Sequence, residues 1–487
     1  MNVIMILIDS LNRHCLGPYG NTVVRTPNID RLAERSVVFD NHFIGSAPCM
    51  PARRELMTGR KEFLWRGWGP MEPFDRHIAM EAKLAGAVTA IVTDHYHYWE
   101  HSAHGYVEQF DAVKMIRGQE LDMWNTDPCA QVPDWVSAID RHRPGHGARY
   151  YRNVKDFHRE EDFFSPQTMS AAADWLAKNH SHEKFLLWVE NFDVHEPFHL
   201  PEPYRSMYTD ALDERFTCWP PYQSGYFGHD EAFWQSVTAE ELAFIRAQYY
   251  GKITMVDTWL GKIFAQMDAL HLWDNTAIIL TTDHGHELGE KQRFGKQAPH
   301  YDLSAHIPLM IWHPGLQGAF RSQAFTTAVD VYPTILEMLG GDVGSAPHGR
   351  SLLPLLWQET EAHRAAVVYG EFGAGATVTN QHYTYHAPWD AQAELNNYSA
   401  MMLSPSPEAT GGKFIPGVNC PVWKMPVARQ TASLPELLFD RRRDPAQEHD
   451  LSRSERATCQ EMREILRGLM DEEGVPPEQY VRLGLVP

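Results

Sequence analysis

Side chains that can do chemistry follow several of the apolar runs in this 487-residue chain. Those that come after predicted strands are Asp9, Asp94, His195, Asp283 and His284. In an open α/β sheet the carboxyl ends of the strands share one edge, and ligands collect there. Two carboxylates and an imidazole at that edge would hold a divalent metal ion, although each aspartate alone is equally well explained as a cap of the next turn. The joint pattern favours a metal site.

A second reactive segment is centred on a cysteine. Pro51 is typical of the first turn of a helix, so Cys49 is predicted at the helix N-terminus, where free N–H groups and the helix dipole favour an anion. Arg53 lies four residues further on and can reach back over the same spot. Residue type alone leaves a buried structural thiol as an equal alternative for Cys49.

Alternating strands and helices must position these side chains. Short apolar runs predict buried parallel strands over Asn2–Ile8, Val88–Thr93, Phe185–Glu190, Thr276–Thr282 and Ile307–Trp312. Ser165, as N-cap before Pro166, predicts a helix that runs to about Asn179. Thr238 and Glu241 form a capping-box pattern that opens a long amphipathic helix to about Leu270. The pattern indicates an α/β sandwich with helices on both faces of the sheet.

The pattern changes near Leu353–Thr360, which predicts two domains. Residues 1–360 are expected to form a catalytic α/β domain, and residues 361–487 a smaller α+β domain. The second part has short strand-like pieces, a loop rich in Ser, Pro and Gly, and a final helix: Ala366–Tyr369, His382–His386, Leu403–Gly417 and Ser454–Glu473.

Charge and composition narrow the classes of function. The chain has 43 Lys and Arg against 63 Asp and Glu, a net charge of −20, which argues against a nucleic-acid binder and disfavours docking on anionic membranes. A small anionic substrate stays compatible with a local cationic pocket. No apolar run approaches the roughly 20 residues of a membrane helix. Six cysteines without a CxxC pair, and no visible signal peptide, predict reduced thiols in the cytoplasm.

The cysteine segment resembles the sulfatase signature. Cys49-Met50-Pro51-Ala52-Arg53, followed by Leu56-Met57-Thr58-Gly59, matches C-x-P-x-R and then L-x-T-G. Further matches to that family occur in the same order along the chain: Thr26–Ala33, Thr282–Gly285, Lys296 with Tyr301-Asp302 and Ile307–Leu309, Asp330–Leu336, and Leu438–Asp440 with Asp444-Pro445. The resemblance implies an alkaline-phosphatase-like fold: a large mixed, mostly parallel sheet sandwiched by helices.

The resemblance also implies roles. Cys49 would be converted to formylglycine (3-oxoalanine) by a formylglycine-generating enzyme, which must read the segment before folding buries it. The hydrate would attack a small anionic ester. One divalent metal, Ca²⁺ or Mn²⁺, would be held by Asp9, Cys49, Asp283 and His284. Arg53 would steady the hydrate, while Lys296 and His195 would contact ester oxygens, and one of them would protonate the leaving group.

Three departures from the sulfatase pattern matter. Asp9 is followed by Ser10 rather than a second acid, and Asp283 by His284 rather than Asn, which shifts metal preference toward Mn²⁺. The usual Lys-x-His is absent, and His97 is the expected counterpart. The Asp283-His284 pair and the absent second acid are similar to the phosphonate monoester hydrolases, whereas Asp94–Trp99 does not match their pattern well. The residues predicted to bind substrate are Asp94, His95 and His300.

The preferred prediction is a sulfuric ester hydrolase, with a phosphonate monoester or phosphodiester hydrolase as the alternative. A binding protein with an unmodified Cys49 thiol and a two-metal phosphomutase rank lower. Homo-oligomerisation stays open. Aromatic-rich segments are expected either to line the pocket or to belong to the core: Trp65–Trp68, Tyr96–Trp99, Phe192–Phe198 and Trp219–Phe227.

Overall fold

The computed structural model describes residues 1–100, 103–128, 131–222, 231–428 and 433–485. The strands, in chain order, are β1 (Asn2–Ile8), β2 (Val37–Phe43), β3 (Ser46–Ala47), β4 (Val88–Thr93), β5 (Ala112–Met115), β6 (Phe185–Asn191), β7 (Thr276–Thr281), β8 (Glu287–Leu288), β9 (Phe294–Gly295), β10 (Leu309–Trp312), β11 (Phe320–Thr327), β12 (Ala366–Glu371), β13 (Ala376–Asn380), β14 (Tyr383–His386), β15 (Asn396–Ser399), β16 (Thr410–Gly412), β17 (Val422–Pro426) and β18 (Leu437–Asp440).

The helices lie between and after these strands. In chain order they are α1 (Pro27–Ala33), α2 (Cys49–Thr58), α3 (Ile78–Leu84), α4 (Asp134–Asp140), α5 (His146–Val154), α6 (Phe164–Asn179), α7 (Glu231–Ser236), α8 (Ala239–Ala269), α9 (Asp302–Ala305), α10 (Val331–Leu339), α11 (Leu353–Leu356), α12 (Arg456–Glu473) and α13 (Pro477–Arg482). Among the described residues, no helix is both long and apolar enough to cross a membrane.

An eight-stranded sheet organises the first two-thirds of the chain. Its strand order is β11-β2-β10-β7-β1-β6-β4-β5, and only β10 runs against the rest. The prediction of a mixed, mostly parallel sheet is therefore confirmed. The expected direction of the fifth apolar run is wrong, because β10 pairs antiparallel with β7 and β2. A strand covered on both faces is apolar in either direction, so hydrophobicity does not reveal its orientation.

Each face of the central strand packs against its own layer of helices. Ile4, Ile6 and Ile8 of β1 join a core with α6 and α8, whereas Val3 and Met5 point to a core with α2, α3 and α10. The side-chain period of two in a strand produces this division. Since β1 is buried on both faces, it reads as a continuous apolar run, which explains why the sequence reveals it so clearly.

A smaller five-stranded sheet, of order β18-β14-β13-β12-β3, occupies the C-terminal part. Its edge strand β3 comes from far earlier in the chain and pairs in parallel with β12, with Ser46 opposite Gly370. The segment just before Cys49 is therefore built into the C-terminal sheet. The proposed division between residues 360 and 361 falls between α11 and β12 and stays a prediction.

Of the two helix starts predicted from N-cap patterns, the start of α8 is confirmed and the start of α6 is wrong. Thr238 caps α8, accepting a hydrogen bond from the Glu241 backbone N–H at 3.0 Å. The prediction for Ser165 is wrong, because α6 begins at Phe164, two residues before the predicted first residue Pro166, and its N-cap is Phe163. The Ser165 hydroxyl instead donates to Asp193 Oδ2, and this buried carboxylate outcompetes the local backbone as its partner.

The start of α1 is held by a carboxylate from another helix. Asp257, on α8, accepts the backbone N–H of Asn28 at 3.1 Å and of Ile29 at 2.8 Å. These are N–H groups that no residue of α1 can satisfy. The Thr26–Ala33 segment therefore begins its helix where α8 supplies an acceptor.

Asp257→Ala should lower the midpoint of thermal unfolding, because the buried Ile29 N–H and the part-buried Asn28 N–H lose their acceptor, at a cost of about 1–3 kcal/mol. Asp268→Ala is the matched control, since that α8 carboxylate is about half exposed and pairs with Arg31 at 3.5 Å. Surface pairs of this kind contribute about 0–1 kcal/mol. Equal midpoints for the two variants would contradict the capping role.

Candidate active site

Four potential metal ligands converge at the carboxyl edge of the large sheet. Asp9 follows β1, Asp283 and His284 follow β7, and Cys49 is the first residue of α2. One ligand atom from each lies within 4.8 Å of the others, and all four residues are buried. The structure thus brings together the full set predicted to bind metal. Because β1 and β7 are parallel neighbours, their carboxyl ends meet without any further chain rearrangement.

Ser10, which replaces the usual second acid, organises this cluster through its backbone. Its φ of +60° lies in the left-handed region, which non-glycine residues seldom adopt. In this conformation its N–H donates to Asp283 Oδ1 at 3.1 Å, and its hydroxyl donates to Asp9 Oδ1 at 2.7 Å. Ser10 therefore fixes both carboxylates while adding no charge.

The Cys49 thiol faces the His284 ring. Its Sγ lies 3.2 Å from His284 Nε2, while His284 Nδ1 donates to the Gly285 carbonyl at 2.9 Å. That second hydrogen bond leaves the Nε2 lone pair pointing into the cluster, as a metal ligand requires. Burial raises the pKa of the Cys49 thiol well above its usual value, so the unmodified side chain is neutral.

Arg53 fills the centre of the cluster. Its guanidinium donates to Asp9 Oδ2 at 2.7 Å, to Asp283 Oδ2 at 2.5 Å, to Glu190 and to the Cys49 carbonyl at 3.1 Å. Three buried carboxyl groups thus surround one guanidinium, so full ionisation of all three leaves two negative charges uncompensated. Burial and the neighbouring Asp283 charge raise the pKa of Asp9 well above its usual value.

This charge imbalance fits a bound divalent cation. Buried charges are normally paired or coordinated to metal, and a dication would neutralise the excess of two. The ligand set of two carboxylates, one imidazole and the Cys49 position suits Mn²⁺ as well as Ca²⁺. The described residues therefore fit the predicted metal, although its identity stays open.

Lys296 and His195 form a polar pair beside Cys49. The Lys296 ammonium donates to His195 Nε2, and His195 Nδ1 lies 2.8 Å from the Glu196 carbonyl, to which it donates. Burial lowers the pKa of His195 well below its usual value. Burial also disfavours the Lys296 charge, but the negative charges that Cys49, Glu196 and Asp9 can carry outweigh it and raise that pKa to about 12. The pair is thus a charged lysine on a neutral histidine.

A cavity of about 400 Å³ opens over Cys49. The lining residues discussed below are Cys49, Trp68, Tyr96, His97, Glu120, His195, Tyr222, Lys296, Glu371 and Phe372. The aromatic segments divide between the two predicted roles, since Trp68, Tyr96 and Tyr222 line the cavity while Trp65, Phe198 and Trp219 belong to the core. Residues 223–227 of the last segment lie outside the described residues.

His97 lines the cavity, as its predicted catalytic role requires, with Nδ1 2.6 Å from Glu100 Oε2. The three residues predicted to bind substrate do not line it. Asp94 accepts hydrogen bonds from the Phe192 N–H and from Gln119, so both its oxygens are used inside the fold. His95 is buried with both ring nitrogens unpartnered, and His300 Nε2 lies 3.6 Å from Glu371 Oε2. Their substrate-binding roles stay predictions.

Sequence analysis overlooked three residues of the site. Glu190 ends the predicted strand Phe185–Glu190, although a glutamate inside an apolar run is itself a sign of a buried charge partner. Ser10 was noted only as a missing acid. Glu120 follows no recognisable motif, and its place on the cavity wall depends on tertiary structure alone.

The fold is similar to that of solved structures over nearly the whole chain. The crystal structure of a phosphonate monoester hydrolase of Agrobacterium radiobacter superposes with a TM-score of 0.69 at 21% identity, covering 97% of this chain and 96% of that one. The fold is therefore alkaline-phosphatase-like. The sulfatase family model matches residues 1–341, and the chain belongs to the sulfatase family. It is a hydrolase of that family.

Two curated relatives are similar over most of the chain. The multifunctional alkaline phosphatase superfamily protein PehA of Trinickia caryophylli is 28% identical over 412 residues, covering 73% of this chain and 77% of that protein. Human arylsulfatase K is 25% identical over 385 residues, covering 73% of this chain and 66% of that protein.

Adding Mn²⁺ or Ca²⁺ should raise the thermal unfolding midpoint, because only the folded chain assembles the cluster; at 100 times Kd the gain is about 2.7 kcal/mol. Asp9→Asn should lose most of this shift. Asp94→Asn, at an equally buried aspartate that follows β4 of the same sheet, two strands away from β1, should keep it. An equal shift in the unchanged protein and in both variants would mean that the metal binds outside the Asp9 cluster.

Proposed function

We propose that this protein hydrolyses sulfate monoesters with a formylglycine nucleophile made from Cys49. The observation that carries the proposal is the position of Cys49, which is the one residue shared by the metal-ligand cluster and the cavity wall. An oxygen nucleophile at this position would meet a substrate in the cavity and a metal behind it.

When present, the formylglycine hydrate supplies the attacking oxygen, and the metal supplies Lewis acidity. The chain's own residues supply the rest. Arg53 holds Asp9 and Asp283 in place behind Cys49. The Lys296 ammonium binds a non-bridging oxygen or the leaving-group oxygen, and neutral His195 beside it accepts or passes on a proton. Over the whole reaction, the sulfur–oxygen ester bond breaks, water supplies the new oxygen on sulfur, and the alcohol gains a proton.

The charge of the cavity supports a singly charged ester. Among the described residues, Lys296 is the one lysine or arginine on the wall, and two glutamates share that wall. A sulfate monoester carries one negative charge at neutral pH, whereas a phosphate monoester carries nearly two. Each additional unpaired charge in a buried site is costly. The cavity therefore favours the sulfate ester over the phosphate monoester.

A phosphonate monoester is the second candidate, because it also carries one negative charge. The Asp283-His284 pair and the uncharged Ser10 resemble the metal-binding pattern of phosphonate monoester hydrolases. The name of the relative PehA, a multifunctional alkaline phosphatase superfamily protein, is compatible with either substrate.

Co-expression with a formylglycine-generating enzyme should yield protein with a higher kcat/KM for an aryl sulfate than for an aryl phosphonate monoester. Cys49→Ala should abolish turnover of both, and Cys420→Ala, which alters a thiol away from the site, should not. Mass spectrometry of the Cys49 peptide reports the thiol-to-aldehyde conversion. A tenfold preference for the phosphonate, about 1.4 kcal/mol in the transition state, would reverse the ranking of the two substrates.

His195→Gln should slow alkyl sulfates by about 10²–10⁴-fold, because a poor leaving group depends on protonation. It should slow 4-nitrophenyl sulfate much less, since nitrophenolate leaves without a proton. The exposed His158→Gln serves as the control. Equal losses for the alkyl and nitrophenyl esters would assign His195 to binding rather than to proton transfer.

A further inference from the structure

The cavity over Cys49 has a second cluster of side chains that the proposed chemistry does not use. Trp68, Tyr96 and Phe372 contribute aromatic rings to its wall, and Glu120 and Glu371 contribute carboxylates. These five residues, here called the acidic–aromatic wall, include no metal ligand and neither member of the Lys296–His195 pair.

Glu120 is the most constrained member of this wall. It is 7% exposed, and its φ of +45° lies in the left-handed region, which is costly for a residue with a Cβ. Its Oε2 lies 3.8 Å from His97 Nε2, and it also contacts the Tyr96 hydroxyl. Burial and repulsion from Glu196 raise the pKa of Glu120 to about 7, so its negative charge is poorly compensated within the protein.

The rings of the wall are free of bound cations. Tyr222, elsewhere in the cavity, already has Lys296 at 5.3 Å and Arg143 at 4.6 Å from its centroid. Within the described part of the chain, no lysine or arginine lies over Trp68, Tyr96 or Phe372 in this way. Aromatic faces beside a carboxylate are the surroundings that bind ammonium groups, quaternary ones included.

The balance of charges in the site also favours a ligand with an ammonium group. A divalent metal and Arg53 together balance Asp9, Asp283 and Glu190, so the cluster behind Cys49 becomes neutral. On the cavity wall, the described residues place one lysine, Lys296, against two carboxyl groups, so full ionisation of both leaves one negative charge unbalanced. An anionic ester then adds a further negative charge. A substrate whose organic group carries a positive charge removes this excess, whereas a neutral sugar or aryl group does not.

We propose that the organic group of the substrate carries an ammonium ion, and that the acidic–aromatic wall binds it while Lys296 and the metal side hold the ester anion. The substrate is thus a small zwitterionic ester of an amino alcohol, of a size that a cavity of about 400 Å³ admits. The proposal rests on the hydrolase function proposed above and names the substrate class of that same site.

A pair of isosteric esters tests the charge directly. The matured enzyme is assayed with 2-(trimethylammonio)ethyl sulfate and with 3,3-dimethylbutyl sulfate, which share a shape and differ by one positive charge. We expect kcat/KM to be at least about tenfold higher for the cationic ester. Equal values, or a preference for the neutral ester, would overturn the proposal.

Glu120→Gln should reduce this preference ratio at least about tenfold, and Trp68→Leu, at a partly exposed position that tolerates replacement, should reduce it as well. The exposed Glu461→Gln on α12 is the matched control and should keep the ratio. A ratio that stays unchanged in both wall variants would remove the wall from the substrate site. The ratio is read within each variant, so a general loss of activity does not obscure it.

Direct binding separates this inference from the proposed function. Cys49→Ala cannot turn over either ester, and calorimetry then gives the Kd of each. If neither sulfate is hydrolysed by the matured enzyme, the sulfatase proposal fails, yet tighter binding of the cationic ester to Cys49→Ala still supports the acidic–aromatic wall. Equal or undetectable binding of both esters would overturn it.

Discussion

The rest of the site depends on the buried ion pairs between the Arg53 guanidinium and the three carboxylates that enclose it. Its partners come from the ends of β7, β1 and β6, the three adjacent strands at the centre of the large sheet. Removing one partner of a buried ion pair leaves an uncompensated charge, at a cost of about 3–5 kcal/mol. The position of α2 relative to the sheet is therefore fixed by electrostatics as well as by packing.

Helix α2 contacts both the buried carboxylates and the cavity, on two different surfaces. The inner side of α2 faces the carboxylates and carries Arg53, while its first residue opens onto the cavity. Of the residues that the structure describes, Cys49 alone belongs to both the buried cluster and the cavity wall. The aromatic content of the cavity wall is therefore separate from the buried cluster, whereas the Lys296 charge on that wall still acts on Asp9.

Elements buried on both faces were the easiest to predict. The bounds of β1 and β4 agree with the predicted runs, and those of β6 and β7 differ by one residue, because uniform burial gives unbroken apolar sequence. Edge strands such as β5, whose residues are mostly exposed, carry no such signal. The metal ligands were predictable because each follows a strong strand or opens a helix. Glu120 and Glu371 were not, since the tertiary fold alone places them beside Cys49.

Strand β3 can pair with its partner β12 only late in synthesis, because β12 lies far later in the chain. Cys49 is 1% exposed, and the two residues that precede Pro48 are held by pairing with β12, which ends at Glu371. That pairing waits until more than 300 further residues have been made, which takes about 15–60 s at 5–20 residues per second. During synthesis the cysteine segment therefore stays outside its final sheet for most of the life of the nascent chain. The long sequence separation of these two strands therefore delays completion of the sheet next to Cys49 until late in synthesis.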